Sequence, residues 1–223
     1  EGLFIYPVHR LQPEARVYRE LAERKLPVVL LGHAAAFCSQ FPSVASDDLG
    51  GSYEATQHLL QLGHKRIAFL AGPLAAPWAQ ERLEGYRRAL REANIEPDDR
   101  LLFQAGSTIE EGAKAAAQLL SEARDYTAVQ ASSDLVAIGC ASKLLDQGIR
   151  IPQDVSLIGF GNILMAEFFR VPLTTMRQPK QRLGHAAMDL MSKLLRGQPA
   201  ESRRVPATLS PRASTAPPPT PAA

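Results

Sequence analysis

Residues 55–71 read ATQHLLQLGHKRIAFLA and join a helix to a strand. Apolar side chains recur three or four residues apart, as on one face of an α-helix, at Ala55, Leu59 and Leu62. Gly63 follows at the point where a glycine closes a helix by adopting the left-handed conformation. Arg66–Ala71 is a short apolar run of the kind that forms a buried strand. The stretch therefore predicts one helix–strand unit of a parallel sheet.

The same alternation of helix and strand continues along the chain. Short apolar runs alternate with longer segments of helical period, which is the pattern of repeated βαβ units. The predicted strands are Gly2–Tyr6, Pro27–Leu31, Val44–Ser46, Arg66–Ala71, Leu101–Gln104, Thr127–Ala131 and Val155–Phe160. Further helical stripes are Val17/Leu21, Val136/Cys140/Leu144 and Leu183/Ala187/Leu190/Leu194, and glycines that end helices are expected at Gly63, Gly148 and Gly197. We therefore expect an α/β fold built on mostly parallel sheets.

The composition is that of a soluble globular protein with one large or two small domains. The chain has 223 residues, of which 45% are hydrophobic, and a formal net charge of +2. No apolar run approaches the roughly 20 residues that a membrane span needs. Basic residues mostly share helices with acidic ones, so these residues present no nucleic-acid surface of their own. We expect no membrane partner.

Two cysteines, Cys38 and Cys140, lie in apolar or small-residue stretches. Neither has the spacing of a metal site or a redox pair, so buried free thiols are the favoured interpretation. Free thiols fit a reducing, cytoplasmic location.

The sequence lacks the motifs of the common enzyme classes. There is no GxxxxGK[ST], HExxH or GxSxG, and Gly159-Phe160-Gly161 lacks the third glycine of a dinucleotide fingerprint. The histidines have no recurring acidic or cysteine neighbour: His9, His33, His58, His64 and His185. His64, just past a helix end, suits the negative helix terminus. We expect neither an enzyme nor a cofactor nor a bound metal.

An ordered series of short phrases is more informative. The phrases are Asp47-Asp48, residues 55–69, Ala71-Gly72-Pro73, residues 81–86 (ERLEGY), residues 133–139 (SDLVAIG), residues 148–160, residues 172–179 (PLTTMRQP) and residues 212–215 (RAST). Their order and spacing resemble the effector-binding core of the lactose-repressor (LacI/GalR) family, from about residue 2 to 215.

The resemblance implies a two-lobed fold like that of periplasmic sugar-binding proteins, with the ligand held between the lobes. The first lobe would be residues 1–45 plus 179–198, and the second 46–177 plus 199–210, including a final strand near 203–209. The family's helix-turn-helix head, its hinge and the first two βα units would lie upstream of Glu1, so the first lobe is expected to be incomplete and the chain N-terminally truncated. The proline-rich tail, residues 211–223, is expected to be disordered.

Site residues follow from the same resemblance. Arg82 stands where the family places an arginine that clamps ligand oxygens, and a surface ion pair with Glu81 or Glu84 is the alternative. Asp134 matches the aspartate of an Asn-Asp pair in which Ser133 replaces the asparagine, and an N-cap role for Asp134 is equally favoured. Trp78 matches a position that lines the ligand site and offers a stacking face.

The sequence departs from the family at several ligand positions. Gly161 replaces an aspartate, with Asn162 beside it as a polar substitute, Gly32 replaces a polar residue, and Ser107 replaces a stacking aromatic ring. Tyr6 and His33 at strand ends, and Gln178, complete the predicted set. Because these positions differ, the resemblance gives less support to a standard sugar or purine as the ligand.

The resemblance implies a ligand-sensing domain of a transcriptional regulator. A small-molecule effector, a sugar or related metabolite, would control operator binding by the head. A homodimer is expected, with helix 135–147 and segment Met165–Val171 at interface positions, although core packing is an equal alternative for Phe168 and Phe169. An exported solute-binding protein, which shares the fold, is the rival interpretation.

Overall fold

The computed structural model describes residues 1–8, 15–123 and 125–219. In chain order the elements are β1 (Leu3–Ile5), α1 (Arg16–Glu23), β2 (Val28–Leu31), a 3-10 turn (Ala36–Cys38), β3 (Ser43–Asp47), α2 (Asp48–Gln61), β4 (Ile67–Ala71), α3 (Pro77–Glu92), a second 3-10 turn (Asp99–Leu101), β5 (Leu102–Gln104), α4 (Ile109–Glu122), β6 (Ala128–Ala131), α5 (Asp134–Asp146), β7 (Ser156–Gly161), α6 (Leu164–Phe168), β8 (Thr174–Arg177), α7 (Lys180–Leu195), β9 (Arg203–Pro206) and β10 (Thr208–Ser210). The α/β class is confirmed, and all seven predicted strands are present within one or two residues of their expected bounds.

The chain divides into two compact units. The first unit comprises residues 1–47, 75–78 and 179–207, and the second comprises residues 48–74, 79–178 and those from Thr208 on. Each unit is built on its own sheet.

The first unit holds a four-stranded sheet in the order β1-β2-β3-β9, with every pair parallel. Alternate residues of β2 point to opposite faces, as the pleat requires. Val29 packs against α7 through Leu190 and Met191, whereas Val28 and Leu30 pack on the other face around Cys38 and Phe41.

The second unit holds a six-stranded sheet in the order β10-β8-β7-β6-β4-β5, parallel except for β10. On one face, β4 and β6 pack against α4 and α5. On the other face, the Tyr86 ring lies 4.9 Å from that of Phe69, and its hydroxyl donates to the Ile67 carbonyl at 2.7 Å. A methyl group on Gly139 would lie 1.9 Å from the Ile109 carbonyl oxygen. The close approach of α5 to α4 therefore requires a glycine at this position.

The final strand belongs to a different sheet from the one predicted. β9 pairs with β3 in the first unit, and only β10 belongs to the second. Residues 199–207 are thus part of the first unit, whereas the sequence predicted 199–210 in the second lobe. Ala207 separates the two short strands, and the apolar pattern of Val205 and Leu209 carries no information on which sheet each joins.

The predicted disorder of the tail is wrong for residues 211–219. Ser214 is 1% exposed, and its hydroxyl donates to the Leu157 carbonyl at 2.6 Å while accepting from the Thr174 amide at 2.8 Å. Proline-rich chain has few amides that need partners, so a few buried hydroxyl contacts suffice to hold it in place. Residues 220–223, like His9, lie outside the described residues.

The helix-ending glycines and the two cysteines agree with the sequence-based expectations. Gly63, Gly148 and Gly197 have positive φ at helix ends, and Cys38 and Cys140 are buried free thiols, as predicted. Phe169 packs against the second-unit core, but Phe168 is 75% exposed. Among the described residues, no helix is long and apolar enough to cross a membrane.

Candidate functional site

Polar residues collect where the parallel strands of the second unit end. Ser132, Ser133 and Asp134 follow β6, and Asn162 follows β7, which is its neighbour in the sheet. Because parallel strands share one carboxyl edge, these residues come together there, where open α/β sheets bind ligands.

Arg82 is buried at this edge, with 6% of its surface exposed. Its Nη2 and Nε atoms donate to one oxygen of Asp48, at 2.5 and 2.7 Å, and Nη1 donates to the Ser132 carbonyl. The guanidinium carbon lies 3.6 Å from the centre of the Phe160 ring. The expected alternative, a surface ion pair with Glu81 or Glu84, is therefore wrong, since the acidic partner is the buried Asp48.

Asp134 is also buried, and its carboxylate accepts hydrogen bonds that hold the loop after β7. One carboxylate oxygen accepts from the Thr175 hydroxyl at 2.5 Å, and the other accepts from the Ile163 amide at 2.9 Å. Burial raises the pKa of Asp134, although the hydrogen bonds from Thr175 and from the loop amides oppose the shift.

The N-cap role that the sequence allowed for Asp134 belongs to Ser133. The Ser133 hydroxyl accepts from the Val136 amide at 3.3 Å, and Asp134 is the first residue of α5. Ser133 thus caps the helix, and Asp134 anchors the loop across the sheet edge.

Two glycines make room for the Asp134 carboxylate. A methyl group on Gly159 would lie 2.4 Å from one of its oxygens, and one on Gly161 would lie 3.3 Å from the other. Gly161 also has a φ of +137°, which side chains rarely adopt. An aspartate at position 161 would be both strained and close to a second carboxylate, which accounts for the glycine here.

Asn162, the proposed polar substitute, is held by a residue that the sequence analysis did not select. Its side-chain oxygen accepts from Nη2 of Arg212 at 2.8 Å, and Arg212 Nη1 donates to the Leu173 carbonyl at 2.9 Å. Asn162 has a φ of +52°, a conformation that asparagine tolerates better than most residues.

The side chain of Ser132 differs from its neighbours in its hydrogen bonding. Its hydroxyl oxygen is buried and has no hydrogen-bond partner among the described residues. Neighbouring polar groups are satisfied, because Gln130 donates to the Ser52 hydroxyl at 2.8 Å and Thr56 donates to Gln130 at 2.7 Å. The Ser132 hydroxyl therefore has a free hydrogen-bonding position that a water or a ligand would fill.

Sequence reasoning missed Asp48, Ser132, Thr175 and Arg212 as site residues. Asp48, Thr175 and Arg212 stood in the quoted phrases, so the available signal was their place in the pattern. The side-chain partners described above, however, lie 34, 41 and 50 residues away along the chain. Those contacts exist only once the sheet has formed.

The first unit places three predicted residues at the carboxyl ends of its strands. Tyr6 follows β1 and is 65% exposed, whereas His33 follows β2 and is buried. Arg204 of β9 hydrogen-bonds to Nε2 of His33. Gly32 has a φ of +105°, and a methyl group there would lie 3.3 Å from the Tyr6 ring, so the ring occupies the space of the missing side chain.

The remaining predicted residues are less enclosed. Trp78 is half-buried in the first turn of α3, and Gln178 is half-buried just after β8. Ser107 is exposed, and its amide donates to Glu111 at the start of α4.

Both buried carboxylates at the second-unit edge have partners within the unit. Its buried carboxylates, Asp48 and Asp134, already bind an arginine and a hydroxyl plus an amide, respectively. With Arg82 neutralised and Asp134 occupied by uncharged donors, hydroxyl, amide and aromatic groups are the surfaces offered to a ligand.

Known proteins resemble this chain over most of its length. The family profile described as periplasmic binding protein-like domain matches residues 56–215. The transcriptional repressor CytR of Escherichia coli K12 is 38% identical over 176 residues, covering 79% of this chain and 52% of the repressor. The transcriptional regulator CelR of Thermobifida fusca is 34% identical over 206 residues, covering 92% and 60%. The chain spans about half the length of the curated relatives it matches.

Solved structures agree with the sequence comparison. A CelR–cellobiose complex superposes with a TM-score of 0.88 at 32% identity, covering 96% of this chain and 65% of the other. A LacI family transcriptional regulator from Enterococcus faecium with bound ribose gives a TM-score of 0.84 at 31% identity, covering 97% and 80%.

Proposed function

The chain belongs to the LacI family of transcriptional regulators, and from this we infer that it is a ligand-sensing domain. In the whole protein it would bind a small-molecule effector and thereby control how a helix-turn-helix head binds its operator. The relatives named above are transcriptional regulators, which supports a regulatory role over catalysis and over solute transport.

One observation carries the proposal, namely the polar carboxyl edge of the second-unit sheet. Arg82 is fixed there by Asp48, and the Ser132 hydroxyl beside it has no partner among the described residues. Fixed donors beside an unsatisfied buried hydroxyl form a preorganised site, which binds without having to order its own side chains first.

We propose a sugar or a related metabolite as the effector. Cellobiose and ribose are bound in the two solved regulators described above. The proposed contacts are those predicted from the sequence: Arg82, Trp78, Asp134, Ser133, Asn162, Gly161, Ser107, Gly32, His33, Tyr6 and Gln178. We add Ser132 to them. Because Asp48 neutralises Arg82 and the Asp134 carboxylate accepts from uncharged donors, a neutral hydroxylated ligand fits this edge better than an anion.

The effector would act by binding one arrangement of the two units better than another. A coupling of about 1–3 kcal/mol is typical of such control. A homodimer matches operators with two half-sites. Its support here is α6, where apolar side chains face solvent: Leu164 is 76% exposed and Phe168 is 75% exposed. A cytoplasmic location is part of the proposal, supported by the free thiols of Cys38 and Cys140.

A ligand titration with matched variants tests the sensing role. We expect a member of a mono- and disaccharide panel beginning with cellobiose and ribose to raise the Tm and to give a saturable change in Trp78 fluorescence. Asn162→Gly keeps a residue compatible with positive φ but removes the amide, so it should weaken binding about tenfold. Asn94→Gly is the control, since Asn94 has a φ of +58° and is exposed after α3.

Two results would count against sensing. One is a panel in which no compound changes the Tm or gives binding heat. The other is a bound sugar whose affinity falls equally in Asn162→Gly and Asn94→Gly. A bound sugar that leaves Trp78 fluorescence unchanged removes only Trp78 from the contacts.

A further inference from the structure

Arg212 fixes which end of the Asn162 side-chain amide faces it. Its Nη2 atom lies 2.8 Å from the Asn162 side-chain oxygen, and its Nη1 atom lies 2.9 Å from the Leu173 carbonyl oxygen. A guanidinium carries donors and no acceptor, so the amide atom that it meets is the oxygen. The amide nitrogen of Asn162 is therefore turned away from Arg212.

That nitrogen is the open end of the Asn162 side chain. It makes no hydrogen bond within the described part of the chain, and the residue is half-buried. The backbone amide of Asn162 is already used, since it donates to the Thr175 hydroxyl at 3.4 Å. On the side away from Arg212, the Asn162 side chain thus presents two N–H donors.

The charge of Arg212 strengthens these donors. The Arg212 side chain is 15% exposed, and its acidic neighbour Glu167 is 60% exposed and 3.8 Å away, which is too far for a hydrogen bond. The charge therefore acts mainly on the uncharged oxygens of Asn162 and Leu173. A cation that draws electron density onto the amide oxygen makes the N–H groups of the same amide better donors.

The loop that carries Asn162 is also held on its other side. Asp134 accepts from the Ile163 amide at 2.9 Å, and the Leu173 amide donates to the Ala166 carbonyl at 2.7 Å. The donor end of Asn162 is therefore fixed in direction before any ligand arrives, which lowers the entropic cost of using it.

We propose that Arg212 is a positioning residue that makes Asn162 select a carbonyl oxygen of the effector. This inference rests on the sensing role proposed above, and it narrows the effector to a neutral sugar derivative with a carbonyl group, such as a lactone. A carbonyl oxygen accepts two hydrogen bonds and has no proton of its own. A hydroxyl that accepts from Asn162 still needs an acceptor for its proton, and a methylene group leaves both donors without a partner.

Isothermal titration calorimetry of the full chain with two matched pairs of compounds tests this selectivity. The pairs are cellobiono-1,5-lactone with 1,5-anhydrocellobiitol, and ribono-1,4-lactone with 1,4-anhydroribitol. Within each pair the compounds differ only in the carbonyl oxygen, which two hydrogens replace. We expect the lactone of at least one pair to bind at least about tenfold more tightly than its anhydro partner.

Asn162→Asp changes the chemistry of the open end without changing its shape. One carboxylate oxygen would still accept from Arg212, the other would replace the NH₂ group, and aspartate tolerates the φ of +52°. The lactone should then bind no more tightly than its anhydro partner, because two acceptors would face each other. A merely structural role for Asn162 would leave the ratio of the two affinities unchanged.

Arg212→Gln tests the positioning itself. Glutamine can accept as well as donate, so the Asn162 amide could turn over and the preference for the lactone should shrink toward equality. Arg150→Gln is the control and should keep the preference, since Arg150 makes a two-pronged contact with Asp154 elsewhere in the second unit. The Tm of each variant shows whether the fold is retained.

The outcomes separate this inference from the sensing role. Equal affinities within both pairs, no binding by either lactone, or a preference that survives in Asn162→Asp or Arg212→Gln would overturn it. If a sugar of the panel binds in that case, the sensing role stands and only the carbonyl selectivity is lost. If no compound binds at all, both fail.

Discussion

The Arg82 guanidinium and the Asp48 carboxylate form a buried ion pair that joins α3 to the first residue of α2. The side chains are 7% and 2% exposed, and the closest nitrogen–oxygen distance is 2.5 Å. The Ser52 hydroxyl donates to the Arg82 carbonyl at 2.5 Å and strengthens the same junction. The predicted ligand clamp is therefore also a structural element of the second unit.

Removing one partner of this pair should be strongly destabilising. We expect Asp48→Ala to lower the free energy of unfolding by about 3–5 kcal/mol, because it leaves a buried guanidinium without its counter-charge. Asp99→Ala should change it by less than about 1 kcal/mol, since Asp99 is 84% exposed and pairs with Arg87 on the surface. Urea denaturation followed by circular dichroism measures both.

A double variant separates charge from packing. Asp48→Leu with Arg82→Met should recover most of the stability lost in Asp48→Ala, because it removes both buried charges together. Recovery of none of it would show that the pair contributes more than mutual neutralisation.

Stability should fall as the pH is lowered through the histidine range. Burial lowers the pKa of His64 and of His58, and the nearby His64 lowers that of His58 further. The unfolded chain therefore takes up protons below about pH 6.5 more readily than the folded one, so the free energy of unfolding rises with pH in this window. Unfolding free energies between about pH 5.5 and 7.5 measure the slope.

Exchange of His64 identifies the source of that slope. His64 Nε2 lies 2.8 Å from the Ala216 carbonyl and 3.1 Å from the Ser156 hydroxyl. His64→Gln should flatten the pH dependence, and the exposed His185→Gln should not. An unchanged slope in His64→Gln would assign the effect to other groups. The low pKa also makes His64 unsuited to the helix-terminus charge role expected from the sequence.

Loss of the hydroxyl should destabilise the protein to different extents at two buried serines. Ser52→Ala should lower the free energy of unfolding by about 1–3 kcal/mol, because it leaves Gln130 without one acceptor. Ser132→Ala should lower it by no more than about 0.5 kcal/mol, because the hydroxyl has no partner to lose among the described residues. Equal losses in thermal or urea denaturation would contradict the open position assigned to Ser132.

Two helical glycines provide a matched test of packing. Gly139→Ala should destabilise the second unit by about 1–3 kcal/mol, because the new methyl group meets the Ile109 carbonyl. Gly184→Ala in α7 has nothing within 4 Å of the new methyl group and should stabilise by about 0.5–1 kcal/mol. Denaturation curves decide both signs, and a stabilising Gly139→Ala would contradict the close helix contact.

The proposed dimer should depend on α6. Sedimentation velocity should show a dimer that Phe168→Asp converts to a monomer, because a charge cannot be buried there without a partner. Leu195→Asp is the matched control, since Leu195 is a 54% exposed apolar residue of α7 in the first unit. A monomeric parent, or equal effects of the two variants, would remove α6 from the interface.

Local pattern alone was sufficient for the strands and for the glycines that end helices. Hydrophobic period and glycine conformation are properties of neighbouring residues, so Arg66–Ala71 and Gly63 could be assigned without any partner. α4 was accessible by the same reasoning, since its Thr108 and Glu111 form a capping box, but it was not predicted. Strand β8 was missed because TTMR is too short and too polar to stand out.

The sequence by itself determined the α/β class, seven strands close to their observed bounds and the glycines that end helices. Only the tertiary structure decided that Arg82 pairs with Asp48, that Ser133 rather than Asp134 caps α5, that β9 joins the first sheet, and that residues 211–219 pack in order on the second unit. The reason is physical. Periodicity and capping depend on residues a few positions apart, whereas the choice of a buried polar partner depends on which distant groups the fold removes from water together.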